Sequence, residues 1–318
     1  MTYSRHPNGW RTFILAKAKD SQIRLTVFTP TYNRLDTLER TFESLRAQTC
    51  KDFRWLIIDD GSTDDTKQAA AAWQQSDPGF EIRYIYKKNG GMHTAHNEAY
   101  RHIDTELNVC IDSDDLMPPD AVREILEKWD SVRGRKDIAG IIAKDADLQG
   151  RVIGRGFPKG MRETTLCAYY AGGGTGDKKL IYRTDIINSC PEYPVFEGEK
   201  YVALGYKYRM IDQNYKMAVL DRIVCLVDYR PDGSTNTMLR QYLRNPRGFA
   251  FWRKFCLQYP TNDSARRQFM NCVHYVSSSL LAGNPHFIKE SPRKAMTAAA
   301  VPFGIALTVY IKIKAGSR

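Results

Sequence analysis

Three aspartates crowd one short stretch of the sequence, NVCIDSDDLMPP. Asp112, Asp114 and Asp115 follow an apolar run that is typical of a buried strand. Carboxylates this close repel one another, so a cation, a basic partner or water must offset the repulsion. Taken alone, the stretch fits a solvated turn before the helix that the following prolines favour. The elements around it have to decide between a turn and a cation site.

The stretch is one of four polar loops that each follow an apolar run. The other three read TPTYNR, DDGSTDD and KKNGGMHTAHN. From residue 25 to about 143, the runs LTVFT, FRWLIID, IRYIY, NVCI and IAGIIA alternate with segments of helical period. The runs are continuous rather than alternating, which indicates strands buried on both faces.

This alternation predicts an α/β fold with a mostly parallel central sheet and helices on both faces. In such a sheet, ligands bind outside the carboxyl ends of the strands. We therefore expect the four polar loops to meet at one edge of the sheet. Their meeting there favours a binding site over a solvated turn.

The composition limits which partners the protein can bind and in which compartment it is expected. The 318 residues include 47 Lys and Arg against 36 Asp and Glu, and the formal charge of +11 favours nucleotide phosphates, nucleic acid or an acidic membrane surface. The seven cysteines show no CxxC spacing, so we expect free thiols rather than a zinc site or a disulfide framework. The N-terminal FIL is too short an apolar core for a signal peptide, which predicts a cytoplasmic location.

The sequence changes character towards its end. We expect a catalytic domain over residues 1–235 and a basic helical extension over residues 236–318. Within the extension, residues 296–311 are apolar and are flanked by Arg293, Lys294, Lys312 and Lys314. Sixteen residues are few for a bilayer span. The alternatives are a helix docked peripherally on the inner face of the cell membrane and an ordinary core helix.

Two longer stretches carry a resemblance to a known family. TVFTPTYNRLDTLERTFESLRAQTCKDFRWLIIDDGSTDDT and CIDSDDLMPPDAV together resemble the family 2 glycosyltransferases, over residues 23–130. GDKKLIYRTDI and YPVFEGEKYV resemble a bacterial branch of that family. The resemblance implies the GT-A fold and inverting transfer of a sugar, from a UDP-sugar or a similar donor, to a hydroxyl of a glycan or of a lipid-linked acceptor in surface polysaccharide synthesis.

The aspartates acquire a role in that chemistry. A sugar transfer releases a nucleoside diphosphate, and a divalent cation that bridges its phosphates lowers the barrier. Mg²⁺ and Mn²⁺ prefer oxygen ligands and often take only one or two carboxylates besides the phosphates. The resemblance implies Asp114 as the metal ligand, Asp112 facing the ribose or a metal-bound water, and Asp115 as an alternative ligand.

The resemblance also implies a nucleotide-sugar site along the four loops. Tyr32 would lie against the base, and Asp60 would accept a hydrogen bond from the uracil ring. Gly90 and Gly91 permit close approach of the backbone to a phosphate. The other residues expected at this site are Thr29, Pro30, Thr31, Arg34, His96, Asn97, Ser113 and Asp177. Many relatives carry an arginine where this chain has His96, which weakens any assumed ion pair with the donor.

Inverting transfer also requires a base that accepts the proton of the acceptor hydroxyl. By likeness to the acidic motif that supplies this base elsewhere in the family, we favour Glu199, with Glu197 as the second candidate. A surface ion pair with Lys200 is the structural alternative for Glu199.

A further loop, VDYRPDGST, follows the last predicted strand. Relatives often have a mobile segment here that closes over the diphosphate. Arg230, Ser234 and Thr235 are candidates to meet phosphate oxygens, and Asp232 could replace a metal-binding histidine that relatives carry and this loop lacks.

Two other classes of protein compete with the glycosyltransferase interpretation. A basic nucleic-acid-binding protein would explain the cations and aromatic residues near residues 240–254, but aspartates at the strand ends would repel phosphate. A phosphatase of the aspartyl-phosphate type also starts from Asp-x-Asp after a strand. That class needs Thr or Val two positions beyond the second Asp, near the start of the chain, whereas this chain has Leu116 deep in the domain.

Overall fold

A computed structural model describes residues 23–229, 238–261 and 263–316 of the chain. The N-terminal segment used above to predict the compartment lies outside these residues, as do Arg230, Asp232, Ser234 and Thr235. The proposed boundary between residues 235 and 236 also falls outside them and stays a prediction. The seven cysteines lie inside them and are free, as expected.

The first part of the described chain alternates strands and helices, as the apolar runs predict. Its strands are β1 (Leu25–Thr31), β2 (Phe53–Asp59), β3 (Glu81–Tyr86), β4 (Leu107–Cys110), β5 (Ile138–Asp147), β6 (Glu163–Thr164), β7 (Lys178–Arg183) and β8 (Lys216–Val227). Its helices are α1 (Leu35–Arg46), α2 (Thr66–Gln75), α3 (Met92–His102), α4 (Ala121–Asp130), α5 (Leu166–Ala171), α6 (Thr184–Ser189) and α7 (Gly205–Ile211).

The eight strands form one sheet in the order β3-β2-β1-β4-β7-β5-β8-β6. The parallel pairs are β1 with β2, β1 with β4, β2 with β3, and β5 with β8. β7 runs antiparallel between β4 and β5, and β6 runs antiparallel along β8. The α/β fold is therefore confirmed, although β5 does not join β4 directly, because the chain that leaves β5 returns as β7 and enters between them.

Both faces of the sheet are covered, because the strand side chains are apolar on both sides. Every residue of β1 and of β2 is buried. On one face, Trp55 and Leu38 pack in a cluster with Trp129 of α4. On the other face, Phe28 packs with Tyr100 of α3. The loops that follow the parallel strands remain uncovered at the carboxyl edge of the sheet.

The last part of the described chain is helical. Its helices are α8 (Met238–Arg244), α9 (Pro246–Gln258), α10 (Ala265–Leu281), α11 (Phe287–Glu290) and α12 (Lys294–Gly316). α9 packs on the first part of the described chain, where Phe251 contacts Tyr206. α10 and α12 pack along each other, with Pro302 inside α12. Within the described residues, one helix, Lys294–Ala315, is long and apolar enough to cross a membrane, and 28% of its most apolar window is buried.

Candidate active site

The register of the parallel strands brings the predicted loops to one edge of the sheet. Thr31 at the end of β1 pairs with Asp59 at the end of β2, which pairs with Tyr86 at the end of β3. β4 ends beside β1, so the loop with the three aspartates opens at the same edge. Loops from four strands therefore meet there, as the alternation of elements predicts.

The loop after β4 is shaped by contacts with α1. The hydroxyl of Thr41 donates a hydrogen bond to the carbonyl oxygen of Asp115 at 2.9 Å and approaches that of Ser113 at 3.3 Å. The backbone N–H of Asp115 donates to the carbonyl oxygen of Asp112. These bonds turn the chain so that Ser113 and Asp115 are buried, whereas Asp112 and Asp114 stay partly exposed.

Two cations offset the aspartates. The guanidinium of Arg34 lies 3.4 Å from the carboxylate of Asp114. The ammonium of Lys179, at the start of β7, lies 3.5 Å from Oδ2 of Asp115, and the thiol of Cys225 donates to the same oxygen at 3.4 Å. Positive side chains of the protein therefore neutralise part of the negative charge of the aspartates.

The counter-charge does not balance the site completely. Burial foremost, together with the charges of Asp112 and Asp114, raises the pKa of Asp115 to about 7, although Lys179 acts to lower it. Burial alone would lower the pKa of Lys179, but the surrounding acidic groups, Asp145 foremost, hold it well above its usual value. An additional cation beside the aspartates would therefore be stabilised electrostatically.

Sequence reasoning missed three residues of this cluster: Lys179, Asp145 and Tyr229. Asp145 lies near the end of β5, is 2% exposed, and its Oδ1 has no hydrogen-bond partner. Burial raises its pKa to about 6. Tyr229 follows β8 and donates a hydrogen bond to the exposed Asp177 at 3.0 Å. Asp145 lies near the carboxyl end of β5, and Tyr229 lies just after that of β8. Both strand ends reach this edge of the sheet, and that position was the signal in the sequence that could have identified these two residues.

The loop after β2 is tied to the loop after β3 through Asp60. Its carboxylate accepts hydrogen bonds from Lys87 Nζ at 2.5 Å and from the backbone N–H groups of Gly90 and Gly91 at 2.9 and 2.7 Å. Asp59 holds its own loop, since it accepts from the Ser62 N–H at 2.7 Å. The uracil contact expected of Asp60 stays a prediction, and the carboxylate has these protein donors already.

Glycine is required at position 91 by close packing as well as by turn geometry. Gly91 has φ of +91°, and a Cβ there would fall 2.0 Å from the carbonyl oxygen of Lys200. The segment with Glu197 and Glu199 therefore lies directly beside the loop that Asp60 holds. The candidate bases and the candidate nucleotide loop are neighbours in the fold.

Other predicted binding residues are spread between surface and core. Tyr32 is 48% exposed at the edge of the sheet. Thr29, Pro30 and Thr31 are buried within β1, and the Thr29 hydroxyl accepts a hydrogen bond from the indole N–H of Trp55 at 2.9 Å. The structure does not bring these three β1 residues to the surface beside Tyr32.

His96 and Asn97 lie on the buried side of α3 and point into the core. His96 is 1% exposed and packs edge-on against Phe28, and burial lowers its pKa to about 3. The amide of Asn97 donates to the backbone carbonyl of Tyr193 and accepts from its N–H, both at 2.9 Å. These contacts are structural ones, so binding roles for the two residues stay predictions.

The two candidate bases have different surroundings. Glu199 is 8% exposed, and its carboxylate accepts from the Arg247 N–H and Nε at 3.0 and 2.9 Å and from the Gly248 N–H at 2.8 Å. It thus caps the start of α9 and forms an ion pair with Arg247. Glu197 is exposed, and its backbone carbonyl accepts from Arg247.

A divalent cation fits the donor set of the aspartate loop. Within the described residues no group of three or more His, Cys, Asp or Glu side chains is arranged to hold a metal ion. One or two carboxylates suffice for Mg²⁺ when substrate phosphates supply the remaining oxygens. Asp112 and Asp114 are partly exposed hard oxygen donors, and their charges add to the effect of burial in raising the pKa of the neighbouring Asp115.

Comparison with known sequences identifies a family over this part of the chain. The family model for "Glycosyl transferase family 2" matches residues 26–157. The chain is 32% identical over 137 residues to a chondroitin synthase of Escherichia coli, which covers 42% of this chain and 19% of that protein. It is 29% identical over 140 residues to the GalNAc(5)-diNAcBac-PP-undecaprenol beta-1,3-glucosyltransferase of Campylobacter jejuni, covering 43% of this chain and 44% of that protein. The matches thus span less than half of these relatives.

Solved structures share the fold over nearly the whole chain. S. aureus TarS 1–349 in complex with UDP-GlcNAc superposes with a TM-score of 0.56 at 14% identity, covering 92% of each chain. The mannosyltransferase PcManGT from Pyrobaculum calidifontis, in complex with GDP-Man and Mn²⁺, gives 0.55 at 15% identity, covering 95% of this chain and 91% of that one. Residues 26–157 thus match the model of the family 2 glycosyltransferases, and the likeness to the solved structures shows that the chain shares the GT-A fold.

Proposed function

We propose that the protein transfers a sugar from a UDP-sugar to a hydroxyl of a glycan or lipid-linked acceptor, with inversion, in bacterial surface polysaccharide synthesis. The observation that carries the proposal is the cluster of Asp112, Asp114 and Asp115 at the carboxyl edge of the sheet. The acidic loop lies among the loops that would hold a nucleotide, and burial and mutual repulsion raise the pKa of Asp115. The chemistry that fits this charge is the binding of a cation together with a diphosphate.

The donor would bind along the loops after β1, β2 and β3. Tyr32 offers an exposed ring for the base. Gly90 and Gly91 precede α3, whose N-terminal N–H groups favour a phosphate. Arg34 lies beside Asp114, where its guanidinium could also contact a phosphate oxygen. Asp60 would orient the glycine loop even if it does not touch the base.

Mn²⁺ or Mg²⁺ is the cofactor in this proposal, and Asp114 and Asp112 are the residues that would hold it. When bound, the ion supplies positive charge to the leaving diphosphate. Lys179 forms an ion pair with Asp115, and the charge of Asp145 also raises the pKa of Lys179. Asp115 therefore serves better to position the loop than to bind the ion.

The base in this proposal comes from the segment beside Gly91. The family motif favours Glu199, but its carboxylate already accepts hydrogen bonds from Arg247 and Gly248. Those contacts favour Glu197, whose side chain is exposed, as the group that accepts the acceptor's proton. Asp177 would contact sugar hydroxyls through the carboxylate that Tyr229 orients.

One relative and the charge of the chain support the acceptor and the compartment that we propose. The Campylobacter relative is named for a sugar linked to undecaprenol, which supports a lipid-linked acceptor for this chain. Such an acceptor would place the protein on the inner face of the cell membrane, in contact with the cytoplasm. The excess of cations over acids agrees with an acidic membrane surface.

A donor screen tests the proposal. The full chain is incubated with UDP-sugars and with GDP-mannose in Mn²⁺, and the release of nucleoside diphosphate is measured with and without EDTA. We expect one UDP-sugar to be hydrolysed in the presence of metal only. Hydrolysis that EDTA leaves unchanged would contradict the metal role, and release from the GDP-sugar alone would contradict the UDP assignment.

A further inference from the structure

The outward face of α12 has an unusual composition. Between residues 295 and 310, every exposed residue is apolar: Ala295, Ala298, Ala299, Pro302, Phe303, Ile305, Ala306, Val309 and Tyr310. The large side chains among them are about half exposed, from 48% for Ile305 to 57% for Phe303. In water, a surface helix normally presents polar residues on this side.

The inward face of α12 combines small and hydroxyl-bearing residues with apolar ones such as Leu307 and Ile311. The hydroxyl of Thr308 donates to Ser277 Oγ at 3.1 Å, and that of Thr297 bonds to Ser291 Oγ at 2.6 Å. A Cβ on Gly304 would fall 2.4 Å from the side chain of Val276, so glycine permits the close approach of α10. Small residues and hydroxyls between helices, with apolar residues outside, are the pattern of helices that pack within lipid.

Charge around this face is almost entirely positive. The helical segment 238–316 contains 12 Lys and Arg but only two acidic residues, Asp263 and Glu290. Asp263 forms an ion pair with Arg209, and Glu290 forms one with Lys254. α12 itself contains no acidic residue. Lys294 stands at its start, and Lys312 and Lys314 stand at its end.

We infer that the outward face of α12 docks into the interfacial layer of a membrane rich in anionic lipid. Its apolar side chains would enter the acyl boundary while the lysines at both ends contact the headgroups. Residues 295–310 would lie along the surface over roughly 24 Å at 1.5 Å per residue. Like-charged lysines at both ends oppose the pairing of two copies through this face, which favours anionic lipid as the occupant.

The inward contacts favour docking along the surface over crossing the bilayer. Ile311 is 1% exposed and packs with Tyr242 and Phe249 of α8 and α9. Ala300 is fully buried in the cluster with Val276. A crossing helix would have to give up these contacts with the body of the protein, whereas a docked helix keeps them.

Vesicle flotation tests the inference with the full chain. The vesicles contain phosphatidylcholine with or without phosphatidylglycerol and no lipid-linked sugar, so an acceptor cannot mediate binding. We expect binding to the anionic vesicles, and at least tenfold weaker partitioning of the double variant Ile305→Asp, Val309→Asp. Leu148→Asp is the matched control, because Leu148 is 37% exposed on a turn of the catalytic part, and it should bind like the wild type.

A second pair of variants separates the cations from the apolar side chains. Lys312→Gln with Lys314→Gln should weaken binding to anionic vesicles several-fold and make the remaining binding less sensitive to salt than that of the wild type. The inference is overturned if the wild type does not float, or if the double aspartate variant floats equally well. It is also overturned if light scattering shows a dimer that the aspartate variant converts to a monomer without any vesicle binding.

The inference stands apart from the proposed transfer reaction. Donor hydrolysis is measured on the same preparations and should be equal in the wild type, the α12 variant and the control. A negative donor screen would contradict the proposed reaction but not membrane binding by α12. Absence of flotation would contradict membrane binding by α12 but not the proposed reaction.

Discussion

The carboxyl edge of the sheet and the outer face of α12 depart from the ordinary distribution of residues in opposite directions. At the edge, Asp115 and Asp145 are buried carboxylates, and the side chain of Lys179 beside them is 12% exposed. On α12, Phe303 and Val309 are large apolar side chains exposed to solvent. Both arrangements cost stability in an isolated soluble protein, because charge loses its hydration and apolar surface keeps contact with water.

The difference shows what each region lacks. The edge has an excess of negative charge that a cation and a diphosphate would complete. The face of α12 has apolar surface between lysines that anionic lipid would cover. The edge should therefore be sensitive to the removal of charge, and α12 should be sensitive to its introduction.

The largest effect is expected from Asp114→Ala. It removes the partly exposed carboxylate that we assign to the metal, so turnover of the donor should fall by about a thousandfold or more, while the protein stays folded. Donor hydrolysis and thermal unfolding are the two measurements. Asp221→Ala, which removes an exposed carboxylate paired with Lys144, is the control and should keep full activity. Activity retained in Asp114→Ala would remove Asp114 from the site.

Deletion of residues 296–318 tests how much the inward contacts of α12 contribute to stability. It would uncover Cys272 and Val276, which α12 covers, and should cost at least about 3 kcal/mol of stability, since each buried apolar side chain contributes roughly 1.5–3 kcal/mol. We expect the truncated chain to aggregate, measured as loss of soluble protein. The Ile305→Asp, Val309→Asp variant should remain soluble. A truncated chain that is soluble and stable would show that the inward contacts of α12 contribute little.

The two glutamates near Gly91 should respond differently. Glu197→Gln is expected to lower transfer about a hundredfold or more at unchanged UDP affinity and melting temperature, as for loss of a base. Glu199→Gln is expected to lower the melting temperature, because the ion pair with Arg247 and the charged cap of α9 are lost. If Glu199→Gln loses transfer at an unchanged melting temperature, the base is Glu199, as the family motif implies.

The smallest effect concerns His93 in α3. Both ring nitrogens are buried without a hydrogen-bond partner, and burial lowers the pKa of His93 to about 4. The unfolded chain takes up this proton near pH 6.5, so stability falls as the pH drops from about 6.5 towards 4. In His93→Phe this loss is absent, and the melting temperature should exceed that of the wild type by more at pH 5 than at pH 7.5. An equal difference at both pH values would contradict the burial of a neutral ring.

Local patterns in the sequence predicted the first strands and the position of the acidic loop. Asp112, Asp114 and Asp60 directly follow apolar runs, so their place at the carboxyl edge needs only the rule for parallel sheets. Lys179 escaped prediction because it reaches the edge through β7, whose place between β4 and β5 depends on pairing across about 75 residues.

The same limit explains the glutamates and α12. The partner of Glu199 is Arg247, 48 residues further along the chain, and no local pattern joins them. Residues 296–311 show the length and apolarity of α12 but not which side faces α10. The outward position of Phe303 and Val309 follows from packing of Gly304 on Val276, which only the fold reveals.

The central claim is that the aspartate loop and a divalent cation together hold the donor's diphosphate. Calorimetric titration of UDP into the protein tests it most directly, in Mn²⁺, in EDTA, and in Mn²⁺ with Asp114→Ala. We predict that UDP binds at least tenfold more tightly in Mn²⁺ than in EDTA, and that Asp114→Ala removes this difference. Equal affinity under all three conditions would contradict the account.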